Sequence, residues 1–196
     1  MNQEDLDSAK NIINHVVESM DKENNPFTGI LYGQFMLTKN GPKVIEFNAR
    51  FGDPEAMNVL SLLKTSLSNL FLSMADSNLE QPEFSDESTV VKYLVPDGYP
   101  GNSIKNAEVK VDATEIEKAG GKIYYASVYE NEGKVYTTGS RGFGILGKSK
   151  TIEEAESIAE SCCTSVSGPL WHRQDIGSDE LIQKRVIHMQ KLRGEQ

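Results

Sequence analysis

The sequence is poor in cysteine and histidine and has no long apolar run, and each shortage removes a class of protein. Its two cysteines, Cys162 and Cys163, are adjacent. That makes a poor disulfide framework and supplies too few thiols for a cysteine-based metal site, so a reducing, cytoplasmic setting is the simple reading. The three histidines, His15, His172 and His188, are scattered and spell no HExxH zinc motif. Apolar runs fall far short of the roughly 20 residues a membrane helix needs, and no basic start leads into an apolar stretch as in a signal peptide. Positive charge is also in the minority, with 20 Lys and Arg against 29 Asp and Glu, a net charge of −9. Nonspecific nucleic-acid binding is therefore not expected, although a local anion site is compatible with that balance. What is present is a 196-residue chain, 38% hydrophobic and 25% charged, enough for one large domain or two small ones with a real core.

Periodicity organises the chain. Leu6, Ala9, Ile12, Ile13, Val16, Val17 and Met20 recur at helical spacing until Asn24-Asn25-Pro26 stops them. Such an amphipathic helix must pack on something later in the chain or on another chain. Two strands, at 30–37 and 43–48, flank Thr38-Lys39-Asn40-Gly41-Pro42; Asn-Gly signals a hairpin, while Pro42 argues against the simplest two-residue turn. A register setting Gln34 opposite Glu46 and Tyr32 opposite Asn48 puts Phe35 with Ile45 and Phe47 on the apolar face. A helix is expected from about Pro54 through Leu63, and a second from Ser66 with Leu67, Leu70, Phe71 and Met74 as its stripe.

The polar, acidic stretch at 78–88 suggests a boundary near residue 80, giving domains 1–80 and 81–196. Beyond it, strands are expected at 89–95, 107–111, 122–129 and 134–138, with Glu130-Asn131-Glu132-Gly133 as a hairpin turn. Arg141 to Gly147 reads as a glycine-rich strand or loop without the P-loop's terminal Lys-Ser/Thr. Thr151-Ile152-Glu153-Glu154 reads as a capping box opening a helix that Gly168-Pro169 ends, and Ser178 as the start of the last helix. The fold class is α+β, with an antiparallel sheet and at least one covering helix in the second part.

The densest polar pattern is Val44-Ile45-Glu46-Phe47-Asn48-Ala49-Arg50-Phe51-Gly52-Asp53-Pro54-Glu55. Glu46 and Asn48 leave one strand face and offer an anionic and a neutral oxygen, the donors that Mg²⁺ takes. Arg50 continues that parity, and its fork suits a phosphate or carboxylate; Asp53 and Glu55 suit a substrate amine or could orient the loop. On spacing alone two readings stay open: metal or phosphate binding, or a solvated strand face followed by a helix start. Arg141, Arg173 and Asp175 are secondary candidates, with an internal Arg173–Asp175 ion pair favoured over catalysis. His15 and His188 read as surface or core-edge residues, and for His172 a place facing the substrate cleft is the minor reading.

The run Gly29-Ile30-Leu31-Tyr32-Gly33, then Gly41 through Glu55, closely resembles the phosphoribosylamine–glycine ligase family of the ATP-grasp superfamily, and Trp171-His172-Arg173-Gln174-Asp175-Ile176-Gly177 is similar to that family's carboxy-terminal signature. The resemblance implies the C-terminal part of an ATP-grasp domain followed by a small mixed α+β domain with an antiparallel sheet. It implies an ATP-dependent ligase of purine biosynthesis that joins glycine to 5-phosphoribosylamine through a glycyl phosphate, with Mg²⁺, or Mn²⁺ in its place. Glu46 and Asn48 then look like ligands of the metal–ATP complex, Arg50 like the group steadying phosphate, and Asp53 like a residue placing glycine. Glu55 would share that loop, and Gln34, where relatives of the superfamily place an acid, would be a weak metal ligand. Family members resemble chains about twice as long, so this chain is expected to be a carboxy-terminal section, inactive alone: an expressed piece, a truncated product, or one half of a split enzyme with a separate amino-terminal partner. A non-catalytic structural or interaction module, or part of another ATP-grasp carboxylate–amine ligase, are the alternatives.

Overall fold

Asn2 opens the first helix, α1 (Gln3–Lys22), through a reciprocal cap. Its side-chain oxygen accepts from the Asp5 amide at 2.9 Å, and the Asp5 carboxylate accepts from the Asn2 amide at 3.3 Å. Asp5 is buried and also accepts from Arg193 Nη2 at 2.6 Å, which holds its carboxyl below the usual carboxylate range. These coordinates, a computed structural model, describe residues 2–194. The apolar stripe of α1 lies against a hairpin of β1 (Tyr32–Thr38) and β2 (Gly41–Asn48).

That hairpin departs from the expected one at two places. Thr38 pairs with Gly41, so the turn is the two-residue Lys39-Asn40 that Pro42 argues against. Pro42 pairs with Leu37, one position further from the turn; in antiparallel pairing that is a non-hydrogen-bonded position, so the missing N–H costs nothing. The expected register holds for Tyr32↔Asn48 and Gln34↔Glu46, but a bulge at Gln34/Phe35 pairs Phe35 with Val44. Ile45 is thereby left without a partner and is 51% exposed, while Phe35 still meets Phe47 edge-on at 6.4 Å. The helices α2 (Glu55–Leu62) and α3 (Leu67–Ala75) follow, the latter capped by Ser66.

The remaining strands are β3 (Ser88–Pro96), β4 (Glu108–Val111), β5 (Lys122–Tyr125), β6 (Val128–Asn131), β7 (Lys134–Thr137), β8 (Phe143–Ser149), β9 (Val166–Ser167) and β10 (Leu170–Trp171). They form two antiparallel sheets, ordered β10-β3-β8-β5 and β6-β7-β4-β9. The single strand expected at 122–129 is thus two strands in different sheets. Ala126 and Ser127 donate to the Gly142 and Arg141 carbonyls, and the chain crosses between sheets there. The β6–β7 turn is Glu132-Gly133, both at positive φ, as a tight hairpin requires. Three helices complete the chain: α4 (Ala113–Lys118), α5 (Ile152–Cys163) and α6 (Asp179–Arg193). At α5, Thr151 accepts from the Glu154 amide as expected, but the Glu154 carboxylate takes the Ser149 hydroxyl at 2.6 Å, so the other half of the box goes elsewhere. The architecture is α+β.

The described parts of 1–56, 63–84 and 184–196 form one compact unit, and 57–62 with 85–183 form another. The core of the second unit gathers Leu94, Val109, Ile116, Phe143, Ile145 and Val166 around Cys162 and Cys163. Both thiols are free and buried, and burial, helped by the Glu160 charge, pushes Cys163 up to about 12. A disulfide reagent at pH 8 should therefore label neither thiol in the folded chain and both in denaturant. Rapid native labelling would show that α5 does not stay closed on its sheet.

Candidate functional site

Strand parity puts Gln34 on β1 and Glu46 and Asn48 on β2 on one face of the hairpin. Asn48 Nδ2 donates to Glu46 Oε1 at 2.8 Å. Glu46 is exposed and Asn48 half-buried. The contact joins the two side chains through the amide nitrogen and one carboxylate oxygen, and Asn48 Oδ1 and Glu46 Oε2 are the oxygens left to a cation. Two neighbouring oxygen donors suit Mg²⁺, which commonly takes one or two protein ligands and completes its shell with phosphate oxygens and water. Among the described residues no group of three or more His, Cys, Asp or Glu is placed to hold a metal by itself. Gln34 is exposed opposite Glu46, and as a neutral amide it adds at most a weak donor.

The turn after β2 is tied to this face. Tyr32, directly opposite Asn48, donates its hydroxyl to Glu55 Oε1 at 3.1 Å. Burial, the Glu55 hydrogen bond, and the Glu55 and Glu46 charges raise the Tyr32 phenol above its ordinary value, against the Arg50 charge. Tyr32 therefore feels Glu46, Arg50 and Glu55 together. Gly52 is buried between them: a Cβ there would lie 2.6 Å from Glu55 Oε2 and 3.2 Å from Tyr32 Cζ. The Ala56 amide donates to the Gly52 carbonyl at 2.9 Å, closing the turn onto α2. Arg50 is exposed and donates to the Phe51 carbonyl at 2.9 Å, and Asp53 is exposed on the same turn. The candidates Glu46, Asn48, Arg50, Asp53 and Glu55 thus lie within one strand end and its turn. Two hollows of about 480 and 620 Å³ open at the other end of the hairpin, around Lys39, Leu37 and Arg193, and none of these candidates lines them.

In the second unit the secondary candidates have partners within the chain. Arg141 lies 5.0 Å over the Tyr93 ring. Arg173 pairs with both oxygens of Asp175 at 3.0 and 2.7 Å, the internal ion pair that the sequence favoured. His15 and His188 are exposed, while His172 Nε2 sits 3.1 Å from both Glu160 oxygens. The group that sequence reasoning missed is Lys92. It is fully buried, donates to Glu156 Oε1 at 2.6 Å and the Gln174 carbonyl at 2.9 Å, and also donates to Glu160. A signal existed: Lys92 is in phase with Val90 and Leu94 on the buried face of β3, and Glu156 and Glu160 are one helical turn apart.

Comparison with known proteins supports one family across both units. Residues 1–56 match Phosphoribosylglycinamide synthetase, ATP-grasp (A) domain, and residues 89–179 match Phosphoribosylglycinamide synthetase, C domain. The phosphoribosylamine–glycine ligase of Methanobrevibacter smithii is 47% identical over 192 residues, covering 98% of this chain and 44% of that protein. The Methanosarcina barkeri protein of the same name is 50% identical, over 97% of this chain and 44% of its own length. A crystal structure of the Thermotoga maritima phosphoribosylamine–glycine ligase superposes with a TM-score of 0.77 at 27% identity, covering 90% of this chain and 44% of that one. The chain therefore spans less than half the length of these relatives. It belongs to the phosphoribosylamine–glycine ligase family of the ATP-grasp superfamily.

Proposed function

We propose that this chain supplies the metal-side strand, the following turn and the terminal domain of a ligase that makes glycinamide ribonucleotide, ADP and phosphate from ATP, glycine and 5-phosphoribosylamine. The observation carrying this reading is the contact of Glu46 with Asn48 on one strand face, beside the Arg50–Glu55 turn, inside the span matching the ATP-grasp family. In this reading residues 1–80 are the end of the ATP-grasp domain and 81–196 the terminal domain, in a cytoplasmic protein. Among the described residues no helix is long and apolar enough to cross a membrane.

Glycine's carboxylate is a poor acyl electrophile until a phosphoryl group converts one of its oxygens into part of a leaving group. A carboxylate oxygen bonds to the γ-phosphorus of ATP and ADP departs. The amine of phosphoribosylamine then attacks the acyl carbon, the C–O bond to phosphate breaks, and the nitrogen loses a proton. Glu46 and Asn48 would hold Mg²⁺, or Mn²⁺, which when bound neutralises phosphate charge. Arg50 would meet the phosphoryl oxygens, since its guanidinium stays cationic and presents a fork of donors. Asp53 would receive the glycine ammonium, fixing the carboxylate for attack.

A hybrid in which this chain replaces the matching stretch of the Methanobrevibacter smithii relative tests the reading. Glycine- and ATP-dependent turnover is expected. Glu46→Gln and Asn48→Leu should each weaken metal-dependent nucleotide binding by about tenfold or more. Normal binding and rate in both variants would remove these residues from the site. The 196-residue chain alone brings two of these oxygen donors, and its own Mg²⁺-dependent ATP binding should be weak. Tight 1:1 binding by a monomer would overturn that expectation.

A further inference from the structure

The geometry points to Tyr32 as a positioning residue that sets where the turn carrying Asp53 stands relative to the Glu46–Asn48 face. This inference rests on reading that face and turn as the two sides of one reaction site. Tyr32 touches both sides. Its backbone pairs with Asn48 in the hairpin register, and its hydroxyl reaches across 23 positions of sequence to Glu55 Oε1 at 3.1 Å.

The tie is stiff for three reasons. The phenol hangs from a paired strand, so its base is fixed by the ladder. The acceptor is a carboxylate, and such hydrogen bonds are stronger than those between neutral groups. Gly52 packs closely against the pair: a Cβ there would lie 2.6 Å from the Glu55 carboxylate, which would have to turn aside, and 3.2 Å from the Tyr32 ring. Glu55 in turn begins α2, so the hydroxyl holds one end of the Gly52–Glu55 segment that includes Asp53, and the Ala56 amide closes that segment back onto the Gly52 carbonyl. Glu55 thereby becomes the brace of the turn, and the exposed Asp53 the residue it presents. A loop that must hold an amino acid's ammonium while its carboxylate attacks phosphorus gains most from such fixing, because small displacements of reacting groups are costly.

Tyr32→Phe keeps the ring and deletes one hydrogen bond. In the chain itself, amide hydrogen exchange at Ala56 should quicken about tenfold while α1 and the hairpin amides stay protected. Glu55→Ala should give the same change, and the double variant no more than either alone. Glu55→Gln keeps an acceptor oxygen and should retain most of the protection. In the hybrid enzyme, Tyr32→Phe should raise the glycine KM about tenfold and leave the ATP KM within about twofold, a split that general loosening of the fold does not produce. Wild-type turnover with an unchanged glycine KM in Tyr32→Phe overturns the positioning role alone. Unchanged Ala56 exchange overturns the tie itself. A hybrid without glycine-dependent turnover, in which Tyr32→Phe still strips Ala56 of protection, overturns the ligase reading and leaves the tie established.

Discussion

Gly147→Ala should lower the stability of the second unit by about 3 kcal/mol, the upper end of the usual range for overpacking. Gly147 sits on β8 opposite Val90, on the face that α5 covers. A Cβ there would collide with the Ala155 carbonyl oxygen and lie 2.7 Å from the Ala159 nitrogen. Both obstacles are helix backbone and cannot rotate aside as a side chain would. Relief requires α5 to lift from the sheet, and that reaches Ala155 and Ala159, both fully buried against Val90. Conformational freedom is not the reason for this glycine, because its φ does not lie in the positive range. Gly101 is the control: its φ is also ordinary, and an added Cβ would meet only the Gly98 oxygen at 3.6 Å. Gly101→Ala should be neutral or stabilising by about 0.5 kcal/mol through the unfolded chain. Urea unfolding followed by circular dichroism measures both, and equal midpoints for the two variants would show that the helix and sheet do not pack this closely in solution.

The sequence makes the Glu46–Asn48 strand and its turn legible because their chemistry is local. Glu46 and Asn48 are two residues apart, so any strand places them on one face whatever surrounds it, and their contact at 2.8 Å needs only that parity. The pairing of Tyr32 with Asn48 is equally readable from the alternation. The bulge beyond Gln34 is not, because Ile45 keeps the apolar alternation of its own strand and only the pairing with β1 leaves it out, unpartnered and 51% exposed. The switch of sheets at Ala126 depends on distant partners, the Arg141 and Gly142 carbonyls, which periodicity within 122–129 cannot reveal. The Tyr32–Glu55 bond joins two segments that each read well alone, yet no local rule says that the turn folds back that far. The assignment of Glu46, Asn48, Arg50 and Asp53 to metal, phosphate and glycine draws on family likeness together with this geometry, and the hybrid enzyme is its test.

Lys92→Met should cost about 2–3 kcal/mol at neutral pH, somewhat below the 3–5 kcal/mol of breaking a fully buried pair. Methionine keeps the length of the stem, so the loss is that of the ammonium. Two carboxylates one turn apart on α5 would then face each other without their cation, and the Gln174 carbonyl would lose its donor. The discount arises because Glu156 and Glu160 retain 20% and 34% exposure and can turn toward water. The pH profile separates this cause from simple repacking. Burial acts against the charge on Glu160, but the Lys92 and His172 hydrogen bonds prevail and hold it below its ordinary 4.5. Its stabilising share is therefore present above pH 4.5 and disappears as pH falls through the lower folded value. Burial likewise opposes the Lys92 charge, yet the two carboxylates keep it above 10.5, so its share is present below that pH and fades as pH rises through the higher folded value. The stability gap between wild type and Lys92→Met should thus be widest from about pH 5 to 10 and close toward both ends. Adding Glu156→Gln and Glu160→Gln to Lys92→Met should recover more than half of the loss, since the uncompensated charges go with them. A gap independent of pH, or no recovery in the triple variant, would mean that Lys92 contributes through the packing of its stem and that the network's charge does not stabilise the fold.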